Sequence, residues 1–143
     1  MAADQIIMEL TNNDLAGLNK QRSVIERYVH KDDLNTKYRT PAGKSGTLRA
    51  LIEAKVFKKN QTYELQSMGV ILGDTFVQEM GFHWVVLEDE YGRDPAIKYK
   101  KTSIILYPLT MLSKRIENGE DFDVFEIFNG TAAKVDELIE KER

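Results

Sequence analysis

Cysteine is absent from this 143-residue chain. Disulfides, thiolate metal sites and a cysteine nucleophile are therefore excluded. Histidine occurs twice, at His30 and His83, with no partner at the H-x-x-x-H spacing that side-chain zinc sites use. No metal and no cofactor is expected. Uninterrupted apolar runs reach only a few residues, too short to span a bilayer, so no membrane partner is expected. Residues 1–13 carry acids where a secretion leader needs basic residues and then an apolar run. A cytoplasmic location is the expectation, with an exported form open if a leader has been removed.

What is present reads as an ordinary folded chain: 42% apolar and 30% charged residues, enough for a core without covalent staples. One domain over residues 1–143 is expected. The formal charge of −3 hides an asymmetry. Residues 20–59 hold eleven Lys/Arg against four Asp/Glu, whereas residues 60–143 hold nine against sixteen. Such polarity either orients a partner through its field or is neutralised when the halves pack.

Periodicity predicts the elements. Leu15, Leu18, Ile25, Tyr28 and Val29 share one face of a helix over 12–30, with Gln21 and Arg22 interrupting the stripe. Residues 31–46 contain Pro41, Gly43 and Gly46 and read as a polar loop. A second helix follows from 45–47, carrying Leu48, Leu51, Ile52 and Val56. A third is expected over 61–80, with Leu65, Met68, Leu72, Phe76 and Met80 on one face and Gly81 as its stop. Gly69 and Gly73 lie four apart on it. A mid-helix glycine costs about 1 kcal/mol relative to alanine, so two of them imply close approach of another backbone or ring. Alternating runs predict strands at 82–88, 95–100 and 103–107, the first two joined by the acidic turn Asp89-Glu90-Tyr91-Gly92. Pro108 suits the first turn of a fourth helix ending at Asn118 and Gly119. Two final helices are expected at 121–128 and 131–141, broken at Asn129 and Gly130. The fold class is thus α+β: N-terminal helices, a three-stranded antiparallel meander, then C-terminal helices.

Reaction chemistry is sparse. Gly43-Lys44-Ser45 matches the tail of a phosphate-binding loop, but Tyr38 stands where the leading glycine belongs. Glu88, Asp89, Glu90 and Asp94 cluster at an exposed turn rather than across a cleft, and they lack the calcium-loop pattern. No catalytic, metal or cofactor-binding residue is assigned. One alternative is a hydrolase or small-ligand enzyme using His83 and these carboxylates. Another is a nucleic-acid binder through the basic 20–59 segment, which carries no recognisable binding signature in a chain of pI near 5.5.

Taken in order, Gly69 and Gly73, Trp84-Val85, the Asp89–Gly92 turn, Pro108-Leu109 and Lys114-Arg115-Ile116 follow a recurrent pattern over 65–120. It resembles a family of small bacterial domains of unknown function, with a G-x-x-x-G helix, a W-V strand, an acidic turn and a P-L…K-R-I helix. More loosely, it is similar to bacterial toxin-immunity proteins, which act by binding. The resemblance implies structural roles for Gly69, Gly73, Trp84, Pro108 and Arg115, the last pairing with Asp74, Glu79 or Asp94. It implies no enzyme activity. The reading that results is a non-catalytic, adaptor- or immunity-like module whose partner is a protein. Its contact surface is expected at Asp89, Glu90, Tyr91, Arg93 and Asp94, or on the basic connection 31–44.

Overall fold

The structure, a computed structural model, describes residues 5–142. The first part of the leader reading and both ends of the expected 1–143 domain lie outside the described residues.

Thr11 sets the first helix. Its hydroxyl accepts from Asp14 N–H (3.1 Å) while Asp14 Oδ2 accepts from Thr11 N–H (2.8 Å), a reciprocal cap that satisfies two donors at once. Helix α1 (Asn12–Glu26) follows a short strand, β1 (Ile6–Met8). The chain then forms α2 (Lys31–Leu34), a 3-10 turn (Lys37–Arg39) and α3 (Pro41–Glu53). The long α4 (Thr62–Met80) leads into the hairpin β2 (Phe82–Asp89) and β3 (Gly92–Tyr99). Strand β4 (Ile105–Leu106), α5 (Pro108–Glu117) and α6 (Val124–Glu142) complete it.

The class is α+β, but the antiparallel sheet has four strands among the described residues, in the order β1-β2-β3-β4. The expected three-stranded meander is therefore corrected: Ile6, Ile7 and Met8 pair with Glu88, Leu87 and Val86. Three residues carry too little pattern to announce a strand, and β1 acquires its identity from the edge of β2. Pro95 pairs with Val86 on β3, beyond the reach of β4, which meets β3 only at Ile97 and Lys98. Proline is tolerated at such an open edge.

Two further expectations change. The 31–46 connection is largely helical, and α3 starts at Pro41 rather than near Ser45. Thr40 caps it by accepting from Gly43 N–H (2.9 Å), and Pro41 at the first helical position loses no hydrogen bond. A Cβ at Gly43 would collide with Lys37 O, so that glycine marks a close approach rather than a loop. At the C-terminus, α6 runs unbroken through Asn129 and Gly130. A Cβ at Gly130 would meet nothing within 4 Å; the glycine weakens the helix without ending it.

Helix α4 lies at the centre, against α1, α3, α5 and the sheet. From 67 to 76 every residue except Asp74 is buried. The main core gathers Ile25, Leu48, Leu65, Met68, Ile71, Leu72, Phe76, Phe82, Ile97, Leu112, Val124 and Val135, so each α-helix except the short α2 contributes a fully buried residue, and α2 packs Leu34 against it. Val85, Leu87 and Ala96 form a smaller buried cluster from the two hairpin strands. Helix α5 approaches α4 at its glycines. A Cβ on Gly69 would collide with Pro108 O and come 2.5 Å from Leu109 Cα. One on Gly73 would come 2.5 Å from Trp84 Cζ2 and 3.0 Å from Pro108 Cγ. Neither backbone nor an indole ring yields to a methyl group.

These contacts separate two glycine substitutions. Gly69→Ala is expected to destabilise the fold by about 1–3 kcal/mol, the usual range for overpacking. Gly130→Ala should stabilise it by about 0.5–1 kcal/mol through helix propensity alone. Urea unfolding of both variants beside wild type measures the opposite signs.

Candidate functional site

Two arrangements of charged and aromatic side chains stand out, one inside and one at the surface. The inner one centres on Asp74, the single incompletely buried position in the middle of α4. Arg22 of α1 grips its carboxylate with two parallel bonds, Nε to Oδ2 and Nη2 to Oδ1, both 2.8 Å. Trp84 Nε1–H of β2 donates to the same Oδ1 at 3.0 Å. Arg22 also donates to Asn19 Oδ1 (2.8 Å). The hydrogen bond to Asp74, chiefly, raises the guanidinium above its ordinary value. Charge-assisted, two-pronged geometry of this kind is the strong form of the ion pair.

Tyr38 is buried nearby, 4% exposed, and among the described residues no group is placed to make a well-formed hydrogen bond to its hydroxyl. Burial pushes that phenol well above its ordinary range, with the charges of Glu26 and Asp74 adding to the effect. The Lys44 ammonium lies 5.2 Å from the Tyr38 ring centroid and donates to Arg39 O (3.1 Å); burial lowers its proton affinity. The donors and acceptors here are spent mostly on each other, and the arrangement joins α1, α4 and β2. Its members come from positions 52 and 10 residues apart. The one signal in the sequence was that Arg22 interrupts an apolar stripe and Asp74 directly follows Gly73.

The outer arrangement is the tip of the β2–β3 hairpin. The ladder stays in register to its last pair, Asp89 with Gly92. Gly92 takes φ +137, a backbone region that favours glycine. Asp89 Oδ1 accepts from Tyr91 N–H (2.8 Å), closing a side-chain turn. Tyr91 projects from it, 88% exposed. Arg93 is turned away from the tip. Its Nη2 reaches Asp14 Oδ2 (2.7 Å) and its Nη1 lies 3.6 Å from Glu88 Oε1. Asp14 thereby caps α1 and holds the hairpin together. Its carboxyl sits below the ordinary aspartate value, foremost because Thr11 N–H donates to it, with Arg93 adding to the effect.

The other residues singled out from the sequence fall as follows. Arg115 lies 3.5 Å from Glu120 rather than beside Asp74, Glu79 or Asp94, an exposed pair worth little. His83 is exposed on β2, opposite Lys98 in the register. His30 does not end a helix over 12–30; it caps α2, Nδ1 accepting from Asp32 N–H at 3.2 Å. The basic 20–59 segment is not one free surface. Arg22 is committed to Asp74, and Arg49 to Asp123 (2.6 Å) and the Phe125 ring (4.4 Å). Among the described residues no group of three or more His, Asp or Glu is placed to hold a metal ion. No helix among them is long and apolar enough to cross a membrane.

Comparison with known proteins gives a family and a fold. The model of DUF3806, a domain of unknown function, matches residues 44–128, wider than the 65–120 stretch that carries the motifs. No curated protein matches. A crystal structure from Bacteroides thetaiotaomicron VPI-5482, determined at 1.50 Å, shares the fold with a TM-score of 0.74 at 12% identity. The similarity covers 92% of this chain and 48% of that one, so this chain spans about half the length of its structural neighbour.

Two outcomes are expected from these contacts. Asp74→Asn, which leaves the half-buried Arg22 without a counter-charge, should destabilise the fold by about 2–4 kcal/mol in thermal or urea unfolding. Asp14, with its value depressed on folding, contributes stability above its unfolded value, and this is lost as pH falls through the folded one. Acidification below the ordinary value of 3.8 should therefore destabilise wild type more than Asp14→Asn, as read from unfolding midpoints between neutral pH and about pH 2.

Proposed function

The chain belongs to the DUF3806 family, to which no activity is attached, and from that premise we propose that it is a non-catalytic protein-binding module. It works as an adaptor or in the manner of an immunity protein, through the tip of the β2–β3 hairpin. The observation that carries this reading is Tyr91, 88% exposed on a turn held by Asp89 and by a ladder that remains paired to its end.

A large aromatic side chain fully presented to water makes no packing contribution to its own fold. On a partner it would bury extensive area with only two rotatable bonds to immobilise, which is why tyrosine is frequent at interface hot spots. The turn is ordered before contact, so little further conformational entropy is lost on binding. Asp89 and Glu90 of the turn and Asp94 on β3 give this end of the hairpin negative charge, and Arg93, paired with Asp14, is directed away from the tip. The partner surface that fits is basic, with an apolar recess for the ring. Complementary charge of this kind speeds association and discriminates against acidic surfaces. His83 is exposed on β2 and makes no hydrogen bond or ion pair to a carboxylate among the described residues, and no observation favours the hydrolase reading over this one.

Affinity capture with the full chain, followed by quantitative binding of the retained protein, tests the proposal. Tyr91→Ala should weaken that binding by about 2 kcal/mol, close to thirtyfold. Raised salt should slow its association. A partner that binds Tyr91→Ala as tightly as wild type would place the interface elsewhere.

A further inference from the structure

Away from the hairpin, an open groove of about 620 Å3 lies where the C-terminal ends of α3 and α5 meet the first turns of α4. Its size falls within the range of small-molecule sites, and so does its make-up: an apolar interior with a few charged groups at the edge. Leu65 and Met68, which belong to the main core at 0% and 1% exposure, lie beneath it. Ile52, Phe57, Ile116 and Phe122, all half-buried, form its accessible apolar walls. Those walls lack neighbours on the groove side.

Three lysines stand at the mouth. Lys55, Lys58 and Lys59 line it, and none of them lies within 4 Å of a carboxylate among the described residues. The Lys59 ammonium bends over the turn at Gly119: a Cβ built there would lie 3.3 Å from Nζ. Gly119 takes φ +70 and adds no side chain, so the entrance stays open. Three carboxylates also line the groove, Glu53, Glu120 and Asp121. Arg115, just outside the lining, lies 3.5 Å from Glu120. With it, four cations stand against three carboxylates, a surplus of one positive charge.

We propose that this groove binds a small amphipathic monocarboxylate, a medium-chain fatty acid or a molecule of that chemistry. Its chain lies against Ile52, Phe57 and Ile116, and its head group is held by Lys58 and Lys59. The single surplus charge matches a monoanion better than a phosphate, which would bring nearly two. The apolar depth behind the lysines separates this site from a simple anion patch. Nothing in the assignment depends on Tyr91 or on a protein partner.

Decanoate is the probe, titrated into the full chain carrying 13C-labelled methyl groups, with calorimetry in parallel. Saturable shifts are expected at the Ile52 and Ile116 methyls. The double variant Lys58→Gln/Lys59→Gln alters exposed side chains only and should bind decanoate about tenfold more weakly. Decanol, which lacks the charge, should bind wild type and the double variant alike, and more weakly than decanoate binds wild type. Absence of saturable shifts at these methyls would overturn the proposal, as would undiminished affinity in the double variant. A short apolar peptide with a free C-terminal carboxylate that competes and binds more tightly than decanoate would reassign the groove to a protein tail.

Discussion

The closeness of α5 to α4 is the constraint on which the other contacts depend. With only hydrogen at Gly69, the carbonyl of Pro108 and the backbone of Leu109 come down onto the α4 backbone. Pro108 thus does two things. It opens α5 at the position where its missing N–H is harmless, and its ring edges the Gly73 notch beside the Trp84 indole. Because Trp84 belongs to β2, one pair of glycines brings a helix–helix contact and a helix–sheet contact together on one face of α4. One residue further, Asp74 receives the indole N–H and the Arg22 guanidinium. Apolar fit and polar satisfaction are adjacent, and neither can be altered without disturbing the other.

The charge asymmetry of the chain takes on meaning within this frame. The basic N-terminal part and the acidic remainder meet in Arg22–Asp74 and Arg49–Asp123, and the reverse pairing Asp14–Arg93 ties the hairpin back to α1. These are not equivalent. The Arg22–Asp74 side chains are 21% and 16% exposed, so screening by water is limited and its two-pronged geometry counts. Arg49–Asp123 lies largely in solvent and is worth correspondingly less. Other charges stay outside these pairs, among them the carboxylates of the hairpin end and the three lysines at the groove.

Much of the fold was legible in the residues, and the exceptions share a cause. The span of α4, its stop at Gly81, the hairpin turn and the proline start of α5 each depend on local chemistry: a 3.6-residue period, a positive φ at +81, a missing N–H. Strand β1 depends on something distant, the free edge of β2, and three residues could not announce it. Pro41 and Gly43 looked like a loop because the same residues serve loops and helix starts. Only the position of Thr40, one residue before Pro41, separates the two cases. Gly130 looked like a break because propensity was read without the packing of Val124 and Val135 that holds α6 on the core. The hairpin tip could be read from Asp-Glu-Tyr-Gly. The Arg22–Asp74–Trp84 arrangement and the groove could not, since both are assembled from the ends or faces of elements far apart in the chain.

That last distinction bears on where the family segment ends physically. The DUF3806 match begins within α3 and stops within α6, leaving β1 and α1 outside it. Yet Asp74, in the middle of the matched stretch, makes its contact ion pair with Arg22 of α1, and the hairpin draws Arg93 toward the cap of the same helix. A largely enclosed carboxylate is costly without a nearby counter-charge. Within the matched stretch Trp84 supplies a hydrogen bond to it and Lys44 a more distant positive charge. The two-pronged contact at 2.8 Å comes from α1, so that helix completes the pairing of Asp74 in this chain. The shared fold with the Bacteroides structure over 92% of the chain, well beyond the matched residues, is consistent with a structural unit that includes it.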